Sequence, residues 1–414
     1  MLLQTENKQG FVWFYNINQE QAWNQVKAFP SISDNQQDNL MIQQEQQLLL
    51  IANPRDTVLI RQDINAEFLS YLRTNGIQLP TIVKIEDSHS IPRDILQSDT
   101  MFVPYIVTNE LYQLSLARNF PLFGCKSELV KRVNDKFYCR QMIKSLGLQT
   151  TAGYFCNNLD ELFSAFEMLL KQGFNKVVIK VPYGSSGKGL KTFEDQRKFN
   201  SYINFLKRRG HSNFSLLIEG WHQVDRNINA QLLIDDKTVR ILSITEQLID
   251  KNGMYLGTNF SSKFSESVLN NYRRDLTKIG EHLQSEGYKG IAGIDSIIDK
   301  DGILYPAVEI NGRFTQVTYL LPTVKKLKES YNFIQSRFAR LSSDKYHEFS
   351  DIYGELSNKL YPCPDNNFLI YTFASIKDNV SSTTKFRIFV LFYGNSQKKI
   401  NEMITEFEEF QKYL

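Results

Sequence analysis

Cysteine, histidine and tryptophan are scarce in this chain, with 4, 5 and 3 copies among 414 residues. Cys125, Cys139, Cys156 and Cys363 form no Cys-x-x-Cys pair and have no histidine at zinc-ligand spacing, so no zinc module is expected and they read as buried free thiols. Gly-x-Ser-x-Gly is absent, and the scattered histidines outline no nucleophile triad. Charge of one sign is lacking too: 48 Lys+Arg nearly balance 45 Asp+Glu, giving +3, and nucleic acid is not expected as a partner. Apolar stretches such as Ile388 to Tyr393 fall far short of the roughly 18 to 20 residues that cross a bilayer, which argues against a membrane partner. The opening Met-Leu-Leu-Gln-Thr-Glu-Asn has neither the basic flank nor the apolar core of a signal peptide, so a cytoplasmic location is expected. No long-period repeat is visible.

What is present suits about two or three domains at roughly 100 to 200 residues each. Asp34 to Gln47 reads as a polar loop or short amphipathic segment, and Leu48 to Ala52 as a strand stopped by Asn53-Pro54. Ile64, Phe68 and Leu72 recur at helical spacing before Gly76, and Thr81 to Ile85 is a further strand, an order that predicts a parallel α/β unit ending near Gly124. Surface helices follow, one from Asp135 to Gly147 and one carrying Leu162, Phe166, Leu169 and Leu170 up to Gly173. Strands are predicted at Lys176 to Lys180, Leu190 to Phe193, Leu216 to Ile218, Ile228 to Ile234 and Val239 to Thr245, and a hairpin at Ile294 to Ile298 and Leu304 to Ile310. From about Tyr331 the pattern is that of a small α+β unit with strands at Phe368 to Phe373 and Phe386 to Phe392.

Two stretches carry chemistry. The loop Lys180 to Leu190 gathers Gly184, Gly187 and Gly189 with Ser185, Ser186 and Lys188, and such a loop can bring backbone N–H groups and hydroxyls against phosphate oxygens. It is no P-loop, because Gly-Lys-Ser/Thr is missing and a strand follows, and Thr192 breaks Gly-x-Gly-x-x-Gly. Taken alone it reads equally well as a polar hairpin; Lys180, ending an apolar strand, favours phosphate. In Gly293 to Phe314 the period-two alternation sends Glu309 and Asn311 to one face, with Arg313 on the same side if the strand continues. Two hard oxygen donors suit Mg²⁺ completed by phosphate and water, and Asp295 on the neighbouring hairpin strand can add a third. Arg313 can fork onto an anion.

In order along the chain these residues resemble the ATP-grasp superfamily of carboxylate ligases, over roughly Lys126 to Leu321. The resemblance implies α/β and α+β architecture: an N-terminal α/β domain (residues 1–125), a two-lobed ATP-grasp core (126–330, lobes 126–215 and 216–330) and a small C-terminal α+β domain (331–414). It implies ATP and Mg²⁺ as cofactors. Lys136, after Asn134-Asp135, and Lys180 would be the two ATP lysines, with Gly184, Ser185, Ser186 and Gly187 over the phosphates. Glu219 would accept from the adenine amino group, Trp221 and His222 would supply hinge backbone, and Asp225 would hold the ribose. Glu309-Ile310-Asn311-Gly312-Arg313 is similar to the family's Glu-x-Asn-x-Arg, with Gly312 where many members have Pro, a change expected to loosen the strand end. Asp295, Glu309 and Asn311 would bind metal, while Arg313 and Lys180 would act on the transferred phosphate. The implied activity is ADP-forming ligation of a carboxylate, such as an amino acid or peptide, to an amine through an acyl phosphate. A ligase loading an amino acid onto an acyl carrier protein thiol, a kinase acting on an alcohol and a non-catalytic ATP-binding regulatory protein stay open, as does a homodimer.

Overall fold

A computed structural model describes residues 10–24, 35–184, 189–210, 213–250, 253–377 and 383–411. Phe11 to Phe14 are buried on both faces, as a central strand of a parallel sheet requires. They lie in β1 (Gly10–Phe14), which with β2 (Thr57–Ile60), β3 (Thr81–Lys84) and β4 (Thr100–Pro104) forms a parallel sheet in the order β3-β2-β1-β4. A strand-helix-strand unit is present as β2, the helix Ala66–Thr74 and β3, but its first strand is Thr57–Ile60 and not the expected Leu48 to Ala52.

Leu48 to Ala52 is not a strand, and of the stretch from Asp34 to Gln47, expected as a polar loop or short amphipathic segment, the described residues from Asn35 on are helical. A helix at Asn35–Ile42 runs into a 3-10 helix at Gln43–Leu50, in which Gln44, Glu45, Gln46 and Gln47 are all buried. Glu45 and Gln46 satisfy backbone groups elsewhere, whereas the Gln47 side-chain amide and the Gln44 Nε2 are buried without a partner among the described residues. Glu45 accepts the Arg61 and Gln62 N–H groups at 2.7 and 2.9 Å. Gln46 donates to the Phe373 carbonyl (3.0 Å) and accepts its N–H (2.8 Å), and Gln43 does the same for Ser375 at 2.8 and 3.0 Å. Three-residue spacing in a 3-10 helix eclipses the two amides, so they replace a missing neighbour strand along a sheet edge.

That edge belongs to β15 (Asn366–Lys377). It terminates an eight-stranded antiparallel sheet with β9 (Val224–Ile234), β10 (Val239–Ile249), β11 (Tyr255–Asn259), β12 (Gly290–Asp299), β13 (Leu304–Asn311), β14 (Phe333–Ser343) and β16 (Thr384–Gly394), ordered β13-β12-β9-β10-β11-β14-β16-β15. The strands expected in a C-terminal α+β unit thus continue this sheet through the β11–β14 pairing. At that seam a Cβ on Gly257 would lie 1.9 Å from the Ser336 carbonyl oxygen, so only glycine permits the approach.

A third sheet, β5 (Gly153–Asn158), β6 (Val177–Lys180), β7 (Leu190–Phe193) and β8 (Asn213–Gly220), runs in the order β5-β8-β6-β7. The helices Leu159–Lys171 and Gln196–Arg208 contribute to its separate core, where the Phe166 and Phe199 rings stack at 3.9 Å. The mixed α/β and α+β architecture is therefore as expected.

Candidate functional site

Strand register builds one wall of the site. Asp295 of β12 lies opposite Glu309 of β13 on one side and Asn229 of β9 on the other. Asp295 accepts hydrogen bonds from Asn229 (2.8 Å), Gln247 (2.6 Å) and Asn311 (3.0 Å). Burial, and next the charge of Glu309, push its pKa up to about 6. Glu309 is bonded by the Lys136 ammonium at 2.9 Å, and the same ammonium donates to the Gly184 carbonyl at 2.9 Å. Asn229, Asn227 and Gln231 alternate with apolar residues along β9, a signal from which the Asp295 support could have been found.

Arg313 reaches this wall by a turn, because β13 stops at Asn311. Its N–H donates back to the Asn311 carbonyl at 2.7 Å, folding the guanidinium over Asn311, whose side-chain oxygen it meets at 2.8 Å. The guanidinium is also bonded to Glu20 and lies 5.1 Å from the Tyr105 ring centroid. Gly312 does not loosen this end. Its N–H donates to Asn134 at 3.1 Å, a bond proline could not make, and a Cβ there would stand 2.9 Å from the Asn134 side-chain nitrogen.

The small sheet supplies the opposite wall. Glu219 of β8 receives Lys180 at 2.5 Å, Arg140 at 2.6 Å and the Thr151 hydroxyl at 2.5 Å. Burial alone would raise its pKa, but Lys180 and Arg140 outweigh that and hold it below the ordinary value. The carboxylate expected to meet adenine thus first fixes Lys180, and the second lone pair of Oε2 is what it can offer a base. Trp221 gives its N–H to the Lys176 carbonyl at 2.8 Å, and the His222 ring accepts the Ala152 N–H at 3.3 Å. Arg140 and Glu20 were not among the expected site residues, since neither lies in a motif.

Lys180, Glu219, Trp221, His222, Asp295, Glu309, Asn311 and Arg313 line one cavity of about 990 Å³, with Lys136 buried behind Glu309. Asp225 does not join them. The β9 pairing shifts between Val224 and Arg226, and the Asp225 side chain is exposed, away from the cavity. Ser185, Ser186, Gly187 and Lys188 lie outside the described residues. The start of their loop is held: Asn24 donates to the Tyr183 carbonyl at 2.7 Å and accepts its N–H at 3.1 Å.

Among the described residues no three His, Cys, Asp or Glu side chains converge to enclose a metal ion by themselves. Asp295 and Glu309 instead present hard oxygen donors side by side, with burial and then the charge of Glu309 raising the Asp295 pKa. The Asn311 oxygen, held by Arg313 while its nitrogen meets Asp295, joins them only if the amide turns. That chemistry fits a dication whose shell is completed by phosphate and water.

The profile of the ATP-grasp domain family matches residues 133–317. A butirosin acyl-carrier protein–L-glutamate ligase from Niallia circulans is 37% identical over 394 residues, spanning 94% of this chain and 92% of its own. The chain belongs to the ATP-grasp family. Its fold agrees: the ADP complex of an N5-carboxyaminoimidazole ribonucleotide synthetase matches with a TM-score of 0.63 at 10% identity, over 98% of this chain and 99% of its own. A phosphoribosylamine–glycine ligase from Thermotoga maritima matches at 0.59 and 13%, over 96% of each. This ATP-grasp ligase is thus an ADP-forming enzyme that uses ATP to activate a carboxylate. No helix among its described residues is long and apolar enough to cross a membrane.

Proposed function

We propose that this ATP-grasp ligase activates glutamate, or a similar dicarboxylic amino acid, and transfers the acyl group to the thiol of an acyl carrier protein. The observation that carries this reading is the 37% identity, maintained across 94% of the chain, to a ligase that acts on an acyl-carrier protein and L-glutamate. A carboxylate oxygen of the amino acid attacks the γ-phosphorus of ATP, the bond from phosphorus to the ADP oxygen breaks, and an acyl phosphate forms. A thiolate then attacks the acyl carbon and phosphate leaves with the bonding electrons; the thiol proton passes to solvent.

Such a route needs alignment and charge neutralisation more than a protein nucleophile. Lys136 and Lys180 hold phosphate oxygens, and Gly184, Ser185, Ser186 and Gly187 cover them. Adenine sits at Glu219 with the backbone of Trp221 and His222. Asp295, Glu309 and Asn311 hold Mg²⁺, which would neutralise charge on the transferring phosphate. Arg313, kept in place by Glu20 and Asn311, faces the phosphate as it moves. Lys136 must leave Glu309 as phosphate and metal arrive. A cytoplasmic setting supplies both ATP and reduced carrier thiols.

Incubating the protein with Mg-ATP, L-glutamate carrying ¹⁸O in its carboxylates and a carrier protein bearing phosphopantetheine tests this. One label should appear in inorganic phosphate and a glutamyl mass on the carrier. Label in AMP would exclude the acyl phosphate, and product with a small amine in place of the carrier would assign an amine acceptor.

A further inference from the structure

Beyond Arg313 the cavity reaches a wall that the phosphoryl-transfer machinery does not use. There β14 and β16 set Arg340 directly opposite Arg387, and both line the cavity. Like charges facing each other across a strand pair are destabilising, though Arg340 is exposed and partly screened by solvent while Arg387 is not. Arg387 is half-buried, 5.5 Å from the ring centroids of Phe338 and Phe389, and its Nε is buried without a hydrogen-bond partner. No ion pair among the described residues reaches either arginine; Asp38, on the same cavity lining, is bonded to neither. Burial, then the charge of Arg340, bring the Arg387 pKa down to about 10, as expected for a cation short of a counter-charge.

The surroundings are equally unfinished. Asn18 Oδ1, Gln316 Oε1 and Gln44 Nε2 are buried without partners, and all three residues line the same cavity. Tyr15, fully buried, lines the same cavity as Arg313 and Arg387. Buried polar groups left unpaired cost stability, and where several gather beside a reaction centre they are positioned to be met by water or by the polar groups of a ligand.

We propose that Arg340 and Arg387 bind the substrate carboxylate that is not activated, with the amide oxygens of Asn18 and Gln316 receiving its ammonium group, so that the enzyme selects a dicarboxylic amino acid. This rests on the reading above, in which the other carboxylate reacts beside Arg313. Guanidinium forks match a carboxylate with paired hydrogen bonds, which explains arginine rather than lysine at both positions.

Titration calorimetry of L-glutamate into the full-length protein, saturated with Mg²⁺ and a non-hydrolysable ATP analogue, tests the site without turnover. Arg387→Gln should weaken L-glutamate binding by about tenfold or more, and Arg340→Gln by several-fold, the losses typical of charged hydrogen bonds. Affinity for the nucleotide analogue should stay within about twofold, which also establishes that each variant is folded. L-Glutamine and L-isoglutamine each lack one of the two carboxylates. Wild type should bind one of them much better than the other, and Arg387→Gln should erase that difference. Unchanged L-glutamate affinity in both variants overturns the proposal, as does a wild type that binds neither L-glutamate nor L-aspartate. Arginines that hold the carrier's phosphate instead would leave L-glutamate affinity intact and change only the KM for carrier, which also overturns it. A protein that binds L-glutamate through these arginines yet releases no ADP with glutamate and carrier would sustain the site and refute the proposed reaction.

Discussion

At the small-sheet end of the cavity Glu219 is enclosed by Lys180, Arg140 and Thr151, each within 2.6 Å, whereas at the far end Arg387 and Arg340 meet no carboxylate among the described residues. The first end buries its charges and pairs them, while the far end holds a half-buried Arg387 beside an exposed Arg340 with no paired carboxylate among the described residues. A paired end can hold its geometry before ATP arrives, which suits alignment of a nucleotide common to many reactions. An unpaired end gains most from a ligand carrying the opposite charge, and is therefore suited to choosing a substrate. Between them stand Glu309 and Asp295, where a lysine and three amide donors occupy positions that phosphate and metal would claim.

The contrast can be broken most severely at that middle position. Glu309→Gln removes a metal-ligand charge and the partner of Lys136, and steady-state ADP release should fall by about a hundredfold or more while the fold persists. Retention of near-normal turnover would remove Glu309 from the reaction. At the paired end, Arg140→Met leaves a buried carboxylate with one cation fewer, and urea unfolding should show a loss of about 3 kcal/mol at unchanged m-value. Arg387→Gln should do the reverse, leaving stability unchanged within about 1 kcal/mol or raising it, since a cation without a partner is removed. Equal losses in the two variants would erase the distinction between the ends.

pH sharpens the same comparison. Glu219 titrates below its ordinary value of 4.5 in the folded protein, so the unfolded chain takes up its proton first as pH falls. Its contribution to stability is complete above pH 4.5 and is lost as pH drops through the lower folded value. The stability gap between wild type and Glu219→Gln should therefore be constant above that pH and narrow below it; a gap that widens in acid would reverse the assignment. The smallest effect separates two neighbouring glutamines. Gln46 satisfies both backbone groups of Phe373, so Gln46→Leu should cost about 1 to 3 kcal/mol, while Gln44, whose Nε2 has no partner, should cost less than about 1 kcal/mol as Gln44→Leu. Chemical denaturation of the two variants side by side decides it.

Local patterns located most strands because alternation and β-branched runs are properties of consecutive residues, and β6, β12 and β13 carry them plainly. They failed where a polar residue is buried by a distant partner. Gln43 to Gln47 reads as a polar loop or amphipathic segment, and partners well outside it hold it: the β15 edge, more than 300 positions away, for Gln43 and Gln46, and the Arg61 and Gln62 N–H groups for Glu45. Likewise the period-two rule carried Arg313 past the end of β13, where a turn in fact returns it, and a shift in strand pairing turned Asp225 outward.

The sequence by itself determined which side chains could do chemistry: two lysines at element ends, a glycine-rich loop and a carboxylate, amide and guanidinium at alternating positions, all set by spacing within a few residues. Tertiary structure alone decided which charges are neutralised. Lys180 finds Glu219, Lys136 finds Glu309 and Arg313 finds Glu20, while Arg340 and Arg387 face each other across β14 and β16. Electrostatic energy depends on distance through space and on burial, and neither is a property of position along the chain.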